Sequence, residues 1–334
     1  MKHASSKQVN GRPRLKPFQL IRVSLALQTV PGKPRPKLPL FGLLAVSVFA
    51  ATASSGAQVT AAPGVTKTTT APPALMASAP RTWAADAAQN ELVALHHPGS
   101  YLRYRMHVID EKGDQVRDII ECKDGTVARL ILRDGRPLTV DEDQAERRRL
   151  NDMIASPANF ARHIKNDASG KKIASDMIKL MPDAMIYTYT LDQPQTGRNA
   201  EAPEIVLDYK PNPRFVPPTT TSQALTGLQG RLWIESKTHQ LVRMEGTIFQ
   251  PVNLGWGILA HIYPGGKLVL EQVNAGEQRW IFDQFVQQVS VRALMVKTLN
   301  LRVKIGASDF QTLPGPIPYQ DAIKILLATP LPTH

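Results

Sequence analysis

Strict alternation of apolar and polar residues constrains the fold of this chain more than any other feature. One run has apolar residues at Leu102, Tyr104, Met106 and Val108, and a later run has them at Leu299, Leu301, Val303 and Ile305. Polar or charged residues, such as Arg103 and Arg302, fill the positions between them. A period of two puts successive side chains on opposite faces of a strand, so both runs predict half-buried strands. A sheet must lie at the centre of this fold.

Turn residues indicate that the strands run antiparallel. Asp124-Gly125 and Asp134-Gly135 interrupt the apolar runs that follow Val116 and Val127, and such pairs are typical of hairpin turns. A meander of three strands therefore begins near Leu102. Further strands are predicted at 184–191, 204–210, 230–235, 241–250, 267–274, 280–291 and 297–305.

Helical signals interrupt and flank these strands. Thr139 and Glu142 form a capping-box pattern that predicts a helix to about Ala155. A further helix is predicted to begin at Ser156-Pro157, and others span 83–97, 171–180 and 319–328. The rest of the chain from Gly306 onward is predicted to form a loop. We therefore predict an α+β fold: a large curved antiparallel sheet of about ten strands, shaped as a half-barrel, with an inserted helical segment covering one face.

The N-terminal residues have the pattern of an export signal. Nine of the 40 Lys and Arg residues precede residue 40, without any acid, and an apolar run follows from Leu38 to Ala53. The run ends in Ala51-Thr52-Ala53, which suits signal peptidase, so cleavage after Ala53 is predicted. It is shorter than the roughly 20 apolar residues of a membrane-spanning helix. An uncleaved inner-membrane anchor is the alternative.

Composition divides the chain into four segments. Residues 1–53 are the predicted signal peptide, 54–82 a disordered Thr/Ala/Pro-rich tether, 83–313 a single sheet domain and 314–334 a C-terminal tail. Beyond the leader, 31 bases nearly balance 28 acids, which argues against nucleic acid as a partner. The predicted location is the periplasm or the cell envelope.

No spacing typical of catalysis or metal binding is found in the sequence. Cys122 is the only cysteine, so no intramolecular disulfide can form, and a buried structural thiol is expected. His96 and His97 are adjacent, which on a helix directs them about 100° apart and does not suit a shared metal. We predict a protein that is not an enzyme and that uses no metal and no cofactor. An exported hydrolase with widely spaced catalytic residues is an alternative from another class.

Gly255-Trp256-Gly257 is the least ordinary short segment of the sequence. Glycines on both sides let the backbone bend sharply and direct the large amphipathic ring of Trp256 toward a rim or a membrane interface. Packing of the same ring in the core is the competing interpretation, and it is the one we favour.

The order of a signal, a helix, a strand meander, a helical segment and a long strand run resembles the bacterial lipoprotein-localisation fold. That fold is the incomplete barrel of periplasmic lipoprotein carriers and related envelope sensors. Over roughly residues 84–313 the chain more closely resembles uncharacterised exported proteins of environmental bacteria. This resemblance rests on Asn90-Glu91-Leu92, Arg136-Pro137-Leu138-Thr139, Met181-Pro182-Asp183-Ala184, Pro211-Asn212-Pro213, Gly230-Arg231-Leu232-Trp233-Ile234 and Gly255-Trp256-Gly257.

The resemblance implies a sheet with an apolar concave surface that binds acyl chains. We therefore predict a non-enzymatic envelope protein that binds a lipid, a lipoprotein acyl chain or another apolar ligand. A membrane-tethered structural or sensory module that binds an envelope protein is the alternative, and the membrane surface is a further candidate partner. The predicted ligand-binding residues are Trp256, Leu299, Leu301, Val303 and Ile305.

Overall fold

The computed structural model describes residues 73–96, 99–198 and 202–333. Four α-helices and two 3₁₀ helices lie within these ranges, and the predicted signal peptide and most of the predicted tether lie outside them. None of the described helices is both long enough and apolar enough to cross a bilayer. The α-helices are α1 (Pro80–His96), α2 (Val140–Ala155), α3 (Pro157–Ala184) and α4 (Tyr319–Ala328); the 3₁₀ helices span Pro73–Ala77 and Thr221–Gly227.

One antiparallel sheet contains all thirteen strands of the described residues. The strands are β1 (Tyr101–Asp110), β2 (Gly113–Cys122), β3 (Gly125–Arg133), β4 (Arg136–Pro137), β5 (Met185–Tyr189), β6 (Glu204–Pro211), β7 (Leu228–Glu235), β8 (Leu241–Ile248), β9 (Val252–Leu254), β10 (Ala260–Ile262), β11 (Lys267–Asn274), β12 (Trp280–Ala293) and β13 (Lys297–Leu313).

The strand order is β4-β3-β2-β1-β13-β12-β11-β8-β7-β6-β5. The sheet is open, with β4 and β5 as its edges, and β10 joins the short β9 to the far part of β12. The prediction of an α+β fold with a large antiparallel sheet is confirmed. Thirteen strands are present where about ten were predicted, because β4, β9 and β10 are too short to show a period.

A row of apolar side chains crosses the sheet and defines its core face. Strand register places these residues directly opposite one another on neighbouring strands, and the row reads Val108, Ile305, Phe285, Leu270, Met244, Leu232, Leu207 and Tyr189. Helix α1 adds Trp83 and Ala84 to this core, and α3 adds Met177. The core face is therefore the face that α1 and α3 cover.

A second cluster lies on the opposite face, at β2 and β3. Ile119 belongs to the main core whereas Ile120 belongs to this cluster, as the alternation of a strand requires. Leu150 of α2, Phe160 of α3 and Ile323 of α4 complete it. The inserted helical segment therefore contributes to both faces of the sheet, since α3 takes part in both clusters.

Local sequence signals account for most of the helix boundaries. Two sequence predictions are wrong: a pair of separate helices after Ser156 and a loop from Gly306. The Thr139 hydroxyl accepts a hydrogen bond from the Glu142 amide, and the Glu142 carboxylate accepts one from the Thr139 amide, so the capping box is confirmed. The two helices predicted after Ser156 are one continuous helix, which includes Pro182 in its last turn. The residues from Gly306 are not a loop, because β13 continues to Leu313 by pairing with β1.

Candidate functional site

A cavity of about 300 Å³ lies on the core face, between the C-terminal half of α1, the middle of α3 and one end of the sheet. Strands β1, β2, β11 and β12 form its floor. Two exposed residues of the wall, His96 at the end of α1 and Lys123 in the turn after β2, show where it meets solvent. Its volume is at the lower end of the range for small-molecule sites.

Most of the cavity wall is apolar. Tyr104 and Leu270 are buried at the floor, and Ala174 of α3 is buried at the roof. Other apolar wall residues include Ala94, Leu95, Tyr101, Ile178, Leu241, Trp280, Ile281 and Phe282. Such a surface favours a ligand, or a part of a ligand, that is itself apolar.

Glu91 introduces a carboxyl group into this apolar surface. Gln272 Nε2 on β11 donates a hydrogen bond of 2.8 Å to Glu91 Oε2. Burial raises the pKa of Glu91 from 4.5 to about 7, and it outweighs the opposing effects of the Gln272 hydrogen bond and the Arg279 charge. Glu91 is therefore poised to exchange a proton near neutral pH.

Glu121 and Arg279 form an ion pair in the same wall. Arg279 Nη2 donates to Glu121 Oε1 at 3.0 Å, and Glu121 Oε2 accepts the amide of Leu102 at 3.1 Å. Burial raises the pKa of Glu121, while the charge of Arg279 acts in the opposite direction. The pair fixes the guanidinium at the start of β12, where it borders the cavity.

Three residues that line this cavity have a buried polar atom without a hydrogen-bond partner among the described residues. The atoms are Glu91 Oε1, an acceptor when ionised, and two donors, Arg279 Nε and Trp280 Nε1. Buried polar atoms are rarely left unpaired, because each costs roughly 1–3 kcal/mol unless a water, an ion or a ligand satisfies it. The cavity therefore combines an apolar wall with hydrogen-bonding capacity for one polar group.

The predicted ligand-binding residues do not line this cavity. Ile305 is buried in the main core, while Leu299, Leu301 and Val303 are half-buried on the same face of β13. Leu299, Leu301 and Val303 lie on the part of β13 that continues past β1 and pairs only with β12. Their role as a ligand surface stays a prediction.

Trp256 is not in the core, so the core-packing interpretation is wrong. Its side chain is 90% exposed, in the turn between β9 and β10. Three successive residues there have positive φ, at 56°, 62° and 81° for Gly255, Trp256 and Gly257. This left-handed backbone carries the ring away from the sheet.

Two residues considered in the sequence analysis, Cys122 and His96, lie in the wall of this cavity. Cys122 is buried and borders the cavity; burial raises the pKa of its thiol to about 11, which suits a structural thiol. His96 Nε2 lies 3.1 Å from the Ser175 hydroxyl. Within the described ranges, no group of three His, Cys, Asp or Glu side chains is arranged to bind a metal.

Sequence reasoning missed the polar residues of the cavity: Glu91, Glu121, Gln272 and Arg279. One signal was present, because Glu91 follows Ala84 by seven residues and precedes Leu95 by four, which puts it on the apolar stripe of α1. An acid at a core-facing helix position is uncommon without a partner. The sequence contains no local signal that β2, β11 and β12 come together at this cavity, because their proximity depends on the strand order of the sheet.

Comparisons with protein-family models, with curated proteins and with solved structures gave no match to this chain. The functional argument therefore depends on the geometry and chemistry of the molecule itself.

We expect Glu91→Gln to remove a pH dependence of stability. Because folding raises the pKa of Glu91 to about 7, the folded state retains its proton between about pH 4.5 and 7, where the unfolded state loses it. Stability should therefore fall as pH rises through this window, by up to roughly 3 kcal/mol. Urea unfolding at pH 5 and pH 8 measures the difference, and the variant should gain stability only at pH 8.

Glu111→Gln is the matched control, because Glu111 is exposed in the turn between β1 and β2. It should leave the pH profile of the free energy of unfolding unchanged. Equal profiles for wild type and Glu91→Gln would show that the Glu91 carboxyl is as well solvated in the folded state as in the unfolded chain.

Proposed function

We propose that this protein is a non-enzymatic binding protein of the bacterial envelope, and that it binds a lipid or a lipoprotein acyl chain in the cavity beneath α1 and α3. The observation that carries the proposal is the combination of a mostly apolar wall with buried polar atoms that lack a partner, among them Glu91 Oε1 and Arg279 Nε. An acyl chain with a polar end has the matching chemistry.

The apolar part of the ligand would contact the floor and the roof. Leu270 and Phe282 of the sheet lie at the floor of the cavity, and Ala174 of α3 lies at its roof. Burial of apolar surface stabilises binding by roughly 25 cal/mol for each Å² removed from water. The volume of about 300 Å³ supports one ligand of modest size or one segment of an acyl chain.

The polar end would lie between Arg279 and Glu91. Arg279 Nε donates to an ester or carboxylate oxygen of the ligand, and Glu91, when protonated, donates a second hydrogen bond. The Glu121 carboxylate already pairs with the outer part of the guanidinium, which keeps Arg279 in place. Binding of an anionic head group should therefore strengthen as pH falls toward 7, where Glu91 becomes neutral.

The shape and location of the protein belong to the same proposal. An open sheet with α1 and α3 on its core face supports a half-barrel that encloses the cavity. The basic leader and the apolar run 38–53 support export, although both lie outside the described residues.

Filling the cavity should abolish binding. Ala174→Phe places a ring at the buried roof, while Ala161→Phe places the same ring at an exposed position of the same helix. Titration with a dansyl-labelled fatty acid should show at least a tenfold weaker affinity for Ala174→Phe and an unchanged affinity for Ala161→Phe. Ala94→Leu, which fills the cavity from α1, repeats the test on the opposite wall.

Mass spectrometry of the purified chain supplies independent outcomes. An acyl lipid that is extracted from wild type and is absent from Ala174→Phe supports the proposal, and an intact mass beginning near Ser54 supports export with cleavage. Equal affinity of Ala174→Phe and Ala161→Phe for the fatty acid contradicts the cavity as the site. Hydrolysis of a p-nitrophenyl acyl ester that is lost in Glu91→Gln would contradict the non-enzymatic part.

A further inference from the structure

Two turns lie next to each other at the end of the sheet where the C-terminus of β12 is found. One joins β9 to β10 and carries Trp256; the other joins β12 to β13. Ala260 pairs with Ala293, and the Leu294 amide donates to the Leu259 carbonyl at 3.0 Å. These hydrogen bonds hold the two turns side by side as one projection.

The projection exposes large apolar side chains, which we call the apolar tip. Trp256 is 90% exposed and Val296 is 88% exposed, and neither contributes to a core cluster. The members of the apolar tip are Trp256, Ile258, Leu294, Met295 and Val296. Single exposed apolar residues are ordinary, but five on two joined turns form a contiguous surface of the kind that binds something.

The backbone of both turns is strained in a way that maintains this exposure. Trp256 has a φ of 62°, and Leu294 and Met295 have φ values of 46° and 61°. A positive φ is uncommon for any residue with a side chain, and it costs free energy that the rest of the structure must offset. The hydrogen bond from the Gly255 amide to Gln223 Oε1, at 2.9 Å, helps to hold the first turn.

Charge around the apolar tip is of one sign. No Asp or Glu lies within 246–270 or 284–308, the two stretches that contain the turns and their flanking strands. Basic residues in the same stretches are Lys267, Arg292, Lys297, Arg302 and Lys304. Lys297 directly follows Val296 and is exposed, and Arg302 and Lys304 are exposed on β13.

We propose that the apolar tip inserts into the surface of an anionic bilayer. A projecting turn has no concave pocket for a protein side chain, but it enters the head-group region easily, where tryptophan is favoured. Lys297, directly beside the apolar tip, attracts anionic lipid and contributes about fivefold to the partition coefficient. This membrane contact is independent of the cavity and of any ligand in it.

Vesicle binding by the 334-residue chain tests the proposal. Trp83, Trp233 and Trp280 are buried, so Trp256 is the one exposed tryptophan of the four. Brominated phosphatidylcholine in vesicles with 30 mol% phosphatidylglycerol should therefore quench a component of the emission that is missing in Trp256→Phe. The quenching reports on the apolar tip even if residues 38–53 attach the chain to the vesicle.

Paired variants give the expected magnitude. Trp256→Ser with Val296→Ser should lower partitioning into anionic vesicles at least tenfold, whereas Leu191→Ser with Val216→Ser, at two equally exposed apolar positions elsewhere, should not. Lys297→Gln should weaken binding roughly fivefold on anionic vesicles, and should leave binding to neutral ones unchanged.

Absence of Trp256 quenching would overturn the proposal, as would equal partitioning of the two serine pairs. A dimer that Trp256→Ser with Val296→Ser converts to monomer by light scattering, without vesicle binding, would also overturn it and assign the apolar tip to contact between copies.

Discussion

Replacement of Arg129 by methionine is expected to cost roughly 3–5 kcal/mol of the free energy of unfolding. Arg129 lies on β3 beneath α4 and is fully buried. Its Nη1 donates to the carbonyls of Leu326 and Thr329, at 2.6 and 2.7 Å, and its Nη2 donates to Asp143 Oδ1 at 2.8 Å. The variant would leave the last turn of α4 and a carboxylate of α2 without this donor.

Arg147→Met separates burial from charge at the same carboxylate. Arg147 Nε donates to Asp143 Oδ2 at 2.6 Å and its Nη1 donates to the Leu327 carbonyl at 3.2 Å, but the Arg147 side chain is 43% exposed, whereas Arg129 is fully buried. Loss of this half-exposed pair should cost about 1 kcal/mol or less. Urea unfolding measures both variants, and cleavage near residues 314–329 by limited proteolysis should increase more for Arg129→Met than for Arg147→Met. Equal costs would show that the buried guanidinium adds nothing beyond its charge.

Patterns that repeat within a few residues were sufficient for much of the fold. The alternation from Leu102 predicted β1, and the predicted strand 267–274 has the bounds of β11. The helix α4 spans the range that its apolar spacing predicts. In each case the side chains that set the period also contact the core, so that the local pattern and the tertiary packing agree.

The failures occur where tertiary contacts override a local signal. Separate helices were predicted on either side of Gly170, but Gly170 is buried in the middle of α3, where packing against α1 and the sheet stabilises one continuous helix. Gly306 suggested a loop, but pairing with His107 continues the strand. The intrinsic secondary-structure propensity of one residue is a weak guide at such positions, because packing and strand pairing with distant parts of the chain override it.

The candidate site was less accessible to sequence reasoning than the fold. The cavity depends on Glu121 of β2, Gln272 of β11 and Arg279 directly before β12, which are brought together by the order β2-β1-β13-β12-β11. Trp256 was singled out by its two glycines, but the direction of its ring depends on positive φ values that composition does not specify, and core packing was favoured wrongly.

A methyl group added at Gly230 should destabilise the fold by roughly 3 kcal/mol or more. Gly230 lies on β7 opposite Tyr209 of β6 and Gly246 of β8. A Cβ atom at Gly230 would lie 1.9 Å from the Glu245 carbonyl oxygen and 2.9 Å from the Tyr209 hydroxyl, closer than such atoms approach. Tyr209 donates to that same carbonyl at 2.8 Å, so its ring needs the space that the glycines leave.

Strand propensity alone gives the opposite sign, which makes Gly230→Ala a sharp test. Removing a glycine from a strand interior should stabilise by roughly 0.5–1 kcal/mol, because alanine loses less entropy on folding. Gly315→Ala, where a Cβ would meet no atom within 4 Å, should show at most this small gain. Thermal and urea unfolding measure both variants. A stabilised Gly230→Ala would mean that β6, β7 and β8 shift freely, and that Tyr209 does not hold their register.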